Sequence, residues 1–434
     1  MKSLTTLILS CCTFYAQGLT IELSPEKDNT LYETNTIALS NGAGDYFFVG
    51  RTNQVTNDLR RGLLSFDVSS IPPGSTINQV SLEITASKTI AGEQNISIHQ
   101  ALTAWGESTT HANGEEGTGS PAEAGDATWT NAFHQGAAWV QAGGDFNPIP
   151  LATQSINGLT TISFNAVSLT ENVQSWVDTP EINFGWILLG DESTFPTVYR
   201  FNSKENSNTT TRPKLIIDYA LPQVVLTPDK DNTLFETNDG SISNGAGDKL
   251  FFGKPNNGLL RRGVLEFDVS NIPVNANITS VSLDLTVIDI PNSAQSGTAA
   301  LHLAFSEWGA SSSNGNGQGA PSQTGDATWI HTFFNTDLWN TAGGDFSPTA
   351  SATSDFTNLT NNIHFANTTE LIADVSTWIQ DSNTNHGWVL TGDEINTGNV
   401  RSIGSLENSL SENRPTLTVT YFVPIDLIFK NGFE

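Results

Sequence analysis

The chain has 434 residues, of which 37% are hydrophobic and 9% aromatic, enough to fill packed cores and to exclude wholesale disorder. Forty-five acidic against 18 basic residues give a formal net charge of −27. A field of that sign repels phosphate backbones and anionic bilayers, so it argues against nucleic acid and leaves neutral polymers, cations and surface glycans as partners.

The first predicted element, residues 1–18, combines Lys2 with an apolar run from Leu4 to Tyr15. It reads as a secretory signal peptide, too short to span a bilayer. Ala16 and Gly18 suit an ordinary signal peptidase, while Ile8-Leu9-Ser10-Cys11 also resembles an imperfect lipobox. Secretion is therefore expected, with a lipid anchor on Cys11 as the alternative and no transmembrane segment. Cys11, Cys12 and Met1 are the only sulfur-bearing residues, so a chain cut after Ala16 contains no disulfide, thiolate or zinc–cysteine site.

Residues 19–220 read as an all-β module. In RGLLSFDV, Leu64, Phe66 and Val68 alternate with Ser65 and Asp67; in VSLEITA, Val80, Leu82 and Ile84 alternate with Ser81, Glu83 and Thr85. Period two predicts strands with one buried face, here with Leu64, Phe66 and Val68 in the core. Turn signals such as NGAGD, IPPGS and AGGDF separate them. Residues 169–178 fit one or two helical turns, and Trp176 and Trp186 read as core.

A short linker at 219–223 leads into a second module, residues 224–422, which repeats the first. GDATW stands at 125–129 and again at 325–329; KDNTLYETN at 27–35 returns as KDNTLFETN at 230–238, and LRRGLLSFDV at 59–68 as LRRGVLEFDV at 260–269. All ten tryptophans pair between the copies at offsets of 200 to 203, too long a period for a solenoid. Leu265, Phe267 and Val269 are accordingly expected in the second core, and residues 370–381 as its helical turns. Segments 87–95 and 288–298 differ freely, as loops do. An apolar tail, 423–434, closes the chain. Eight to ten short strands per module predict an all-β fold of two tandem jelly-roll-like β-sandwich domains.

The ordered motifs (DNTLYE, NGAG, the Arg-rich turn into LLxFD, GGDF, GWxLxGDE, and SKEN or SLEN before RPxL) resemble the DNRLRE domain, a group related to carbohydrate-binding module family 96 and to a domain of archaeal disaggregatase. The resemblance covers both modules. It implies a jelly roll in secreted or surface proteins, often beside polysaccharide-active domains, although none is attached here.

Trp105 and Trp129 flank a polar Gly-rich loop, as Trp308 and Trp329 flank its counterpart; with Trp139 and Trp339 they are candidates to stack on sugar rings, provided they are exposed. Arg60, Arg61, Arg261 and Arg262 are scarce cations that either bind an anionic sugar or clamp Glu205 and Glu407 within the sandwich. Asp28, Glu33, Asn41 and Asp45, repeated as Asp231, Glu236, Asn244 and Asp248, crowd a Gly-rich turn in the manner of calcium ligands, so Ca²⁺ is the expected cofactor, with turn capping as the bland alternative. Asp126 and Asp145, with Asp191 and Glu192, read as turn residues rather than a glycosidase pair. His99 and His302 are expected to point outward. No triad, P-loop or HExxH pattern appears, and no catalytic residue is assigned. The expectation is a secreted, non-catalytic, monomeric protein with two polysaccharide-binding modules; the alternative is a structural or adhesive matrix protein.

Overall fold

The computed structural model describes residues 18–194, 196–291 and 295–424. The signal-like segment, with its Cys11 lipobox, and most of the apolar tail lie outside them. Among the described residues no helix is long and apolar enough to cross a membrane. The chain divides into two compact units between Leu221 and Pro222.

Each unit is an all-antiparallel β-sandwich. In module 1 one sheet runs Leu19–Leu23, Lys214–Ala220, Thr76–Thr89, Tyr199–Asn202 and Tyr46–Arg51, with Thr161–Phe164 also paired to Thr76–Thr89. The other runs Lys27–Tyr32, Leu59–Ser65, Trp186–Leu189, Gln94–Gln100 and Ala152–Ile156. Tyr46–Arg51 also pairs with Leu59–Ser65 at one end, so the two sheets curl into each other. Module 2 repeats the order, from Gln223–Leu226 and Thr416–Phe422 on one sheet to Lys230–Phe235 and Arg261–Glu266 on the other.

Alternation places the core as the sequence requires. Leu64, Phe66 and Val68 are buried, as are Leu265, Phe267 and Val269, while the intervening Asp67 and Asp268 face solvent. The predicted helical turns are longer than expected: Val167–Asp178 and Thr369–Gln380 each form twelve residues of α-helix. Each helix buries an apolar stripe against the sandwich, so tertiary packing extends what local propensity leaves marginal. The Trp176 and Trp186 ring centroids lie 4.8 Å apart, tilted by 37°, and those of Trp378 and Trp388 4.5 Å apart, tilted by 57°.

The sheet containing Leu59–Ser65 is buried on both faces. Its inner face carries Leu64, Ile98 and Leu188. Its outer face carries Leu31, Leu63 and Ile187, and residues 101–147 fold over them to make a second core with Trp105, Trp129 and Trp139. Module 2 does the same with Leu234, Val264 and Val389 under Trp308, Trp329 and Trp339.

Candidate ligand-binding clefts

The six loop-flanking tryptophans are not exposed platforms. Trp105 and Trp308 are 1% and 0% exposed, and Trp129, Trp139, Trp329 and Trp339 do not exceed 9%. Four of the six indole N–H groups are engaged as well: Trp105 donates to Phe184 O and Trp308 to His386 O, at 2.8 and 2.9 Å. Trp139 and Trp339 donate to Thr128 O and Thr328 O. The rings serve to seat a polar loop on an apolar sheet face, which needs large side chains beneath the loop.

GDATW is the anchor of that loop. Asp126 is fully buried; its carboxylate accepts the Ser108 and Glu123 N–H groups and the Thr110 hydroxyl. Asp145 likewise caps the Val140 and Gln141 N–H groups. Gly143, at φ +92°, lies so near Arg61 and Trp129 that a Cβ would meet the guanidinium at 2.5 Å.

The arginines are structural clamps, with different partners from those expected. Arg61 grips Glu192 bidentately at 2.7 and 2.8 Å, donates to Gly143 O and lies over the Trp129 ring. Arg262 repeats this with Glu394, Gly343 O and Trp329. Glu205 instead pairs with Lys204. Arg60 and Arg261 are buried over Tyr32 and Phe235 and donate to backbone carbonyls. His99 faces outward from its sheet, yet the covering loop buries it and its Nδ1 lies 2.8 Å from Asn147 O; burial holds the His99 and His302 pKa values below their ordinary range.

The expected calcium ligands do not converge. Glu33 accepts the Asp58 and Leu59 N–H groups, and Glu236 that of Leu260. Asn41 and Asn244 spend both ends of their amides on loop backbone, Asn41 also donating to Glu116. Asp45 and Asp248 receive bonds at their backbone carbonyls, from Asn206 and Asn408. Asp28 and Asp231 are 1% exposed and accept a single N–H, from Lys204 and Leu406. Among the described residues no group of three or more His, Cys, Asp or Glu is placed to hold a metal.

Open space occurs instead at a position common to both modules. In module 1 a cleft of about 160 Å³ lies between Phe48, Thr52, Val198 and the strand end at Lys88, Thr89 and Ile90, closed by Glu115 and Gly117 of the covering loop. In module 2 a cleft of about 360 Å³ is lined by the counterparts Phe251, Pro255, Val400, Asp289 and Pro291, with Gly317 and Gln318 from the loop. Each has an aromatic floor, an aliphatic wall and an ionic end. The ionic ends differ. In module 1 Arg200 and Lys88 share the exposed Glu115, and the Arg200 guanidinium lies 3.6 Å from the Tyr46 ring centroid. In module 2 Lys249 pairs with Asp289 at 2.8 Å, and Ser402 stands where module 1 has Arg200.

Sequence reasoning missed these clefts, because their rims come from 87–95 and 288–298, the segments set aside as drifting loops. That the two copies differ most there was the available signal. No family model and no curated protein sequence matches the chain.

Proposed function

We propose that the chain is a secreted, non-catalytic carbohydrate-binding protein whose two modules each engage polysaccharide at the cleft beneath the covering loop. The observation that carries this reading is the recurrence of one cleft at the same structural position in both copies, with its phenylalanine and valine lining kept and its size and rim chemistry changed. An apolar floor with a few convergent polar groups is the usual make-up of a small-ligand site. The DNRLRE likeness supports the same reading. Two weak sites on one chain gain avidity on a polymer that both can reach. The test is retention on insoluble polysaccharides and a glycan array, comparing the intact chain with rim variants of each cleft; unchanged retention in both variants rejects the reading.

The commitment of the tryptophans and arginines to packing favours a second reading, in which the modules are spacers in a cell-surface or matrix protein. A chain that binds no glycan on the array while remaining folded supports it.

A further inference from the structure

The ionic ends of the two clefts are closed by different carboxylates, and module 1 uses one that module 2 lacks. Arg200 is held independently of that carboxylate: its guanidinium lies 3.6 Å from the Tyr46 ring centroid and its Nε donates to Ser87 Oγ at 3.1 Å. Only 12% of the Arg200 side chain is exposed, whereas that of Glu115, which it meets at 2.5 Å, is 67% exposed. The same Glu115 oxygen takes Lys88 Nζ at 3.1 Å. A fixed cation at the end of the cleft therefore faces a carboxylate carried on the covering loop.

Glu115 stands on an insertion. The Ala112 N–H donates to Asn41 Oδ1 as that of Gly315 does to Asn244 Oδ1, and the Gly119 N–H donates to Glu116 O as that of Gly319 does to Asn316 O. These bonds align 112 with 315 and 116 with 316, so Asn113-Gly114-Glu115 has no counterpart in module 2. The strands carry the complementary change. Their register sets Asp289 where module 1 has Lys88, Ser402 where it has Arg200, and Lys249 where it has Tyr46. Lys249 and Asp289 pair with each other at 2.8 Å. Cations on the strands thus go with an acid on the loop, and an acid on the strand goes with none there.

Resting on the glycan-binding reading of the cleft, we propose that Glu115 sets the ligand class of module 1. Its carboxylate fills the anion seat formed by Arg200 and Lys88, so the cleft accepts neutral sugars and turns acidic ones away. A neutral sugar satisfies this end without displacing anything, since its hydroxyls donate to the carboxylate and accept from the ammonium, while Phe48 and Val198 take its C–H face. A uronate must expel Glu115 or sit beside it. Expulsion competes with a tethered group whose effective concentration is on the order of millimolar, and juxtaposition sets like charges together. Lys88 and Arg200 hold the Glu115 pKa below the ordinary carboxylate range, so the seat stays filled through neutral pH. An ion pair this exposed adds little stability, which leaves selection against the wrong ligand as the contribution of the insertion.

The test is affinity electrophoresis of the full chain in gels holding polygalacturonate or its fully methyl-esterified form, which share a sugar backbone and differ in charge. The wild type should not prefer the acidic polymer. Glu115→Gln keeps the size of the side chain and should raise affinity for polygalacturonate at least about tenfold, as a freed charge-assisted seat allows, with no comparable gain on the ester. Deletion of residues 113–115, which gives the loop its module 2 length, should act alike, and adding Arg200→Ala to Glu115→Gln should abolish the gain. A folded Glu115→Gln chain without the gain overturns the proposal. An equal gain on the ester does so too, since Glu115 is then a plug and not a charge filter, as does a wild-type preference for polygalacturonate. If the wild type binds no glycan on the array, a gain in Glu115→Gln still supports the filled anion seat while the glycan-binding reading falls. Glycan binding on the array without the gain overturns the filter and spares that reading.

Discussion

Trp105→Ala tests whether the loop-flanking rings are cement or platforms. Trp105 is 1% exposed, donates to Phe184 O at 2.8 Å and carries the Lys27 ammonium 4.6 Å from its ring centroid. A buried indole removes roughly 150–250 Å² from water, worth ~4–6 kcal/mol as an upper bound at about 25 cal/mol per Å². Measured Trp→Ala losses in cores run about 3–5 kcal/mol, and the lost bond to Phe184 O lies within that range. Taking about 4 kcal/mol, module 1 should remain folded, since domains commonly hold about 5–15 kcal/mol, but should melt roughly 8–16 °C lower. The assay is denaturant unfolding by circular dichroism, with module 2 supplying an unshifted internal transition. Unchanged stability together with lost polysaccharide binding would refute the reasoning, because it would make the ring an exposed contact.

Two further substitutions probe the packing. Asp374 in the module 2 helix accepts Trp388 Nε1 and the Ser351 hydroxyl, where module 1 has Asn172 under Trp186, and burial raises its pKa above the usual carboxylate range. Its stabilising contribution is then complete below the unfolded pKa and lost as pH rises through the higher folded value, so Asp374→Asn should raise the melting temperature of module 2 at neutral pH and bring no gain in acid, by calorimetry across pH. Arg61→Lys removes the bidentate grip on Glu192 and should destabilise module 1 by about 1–3 kcal/mol in denaturant titrations, whereas a neutral outcome would deny the clamp.

The sequence made the inner faces legible, because one-sided burial leaves a period-two trace in Leu64-Phe66-Val68 and Val80-Leu82-Ile84. The second core was harder to read. Its signals, Leu63 beside Leu64 and the unbroken Trp186-Ile187-Leu188 run, mark strands buried on both faces. A polar, Gly-rich loop composition masked this, since the loop's carboxylates cap turns while its tryptophans lie underneath. The Arg61 clamp was one of two alternatives the sequence left open, and Glu192 and Glu205 cannot be told apart by spacing when both follow retained motifs. The clefts left no motif at all, because four separate segments each supply two to five residues to their walls.

The central claim is that ligand is held at the two equivalent clefts, and rim variants test it most directly. Lys88 and Ile90 in module 1, and Pro291 and Gln318 in module 2, are exposed, so their replacement spares both cores. Lys88→Ala with Ile90→Asp, combined with Pro291→Asp and Gln318→Ala, should leave the melting curve in place and weaken retention on the polysaccharide that the wild type prefers by at least about tenfold, or ~1.4 kcal/mol. Retention equal to that of the wild type, with the fold intact, would contradict the account.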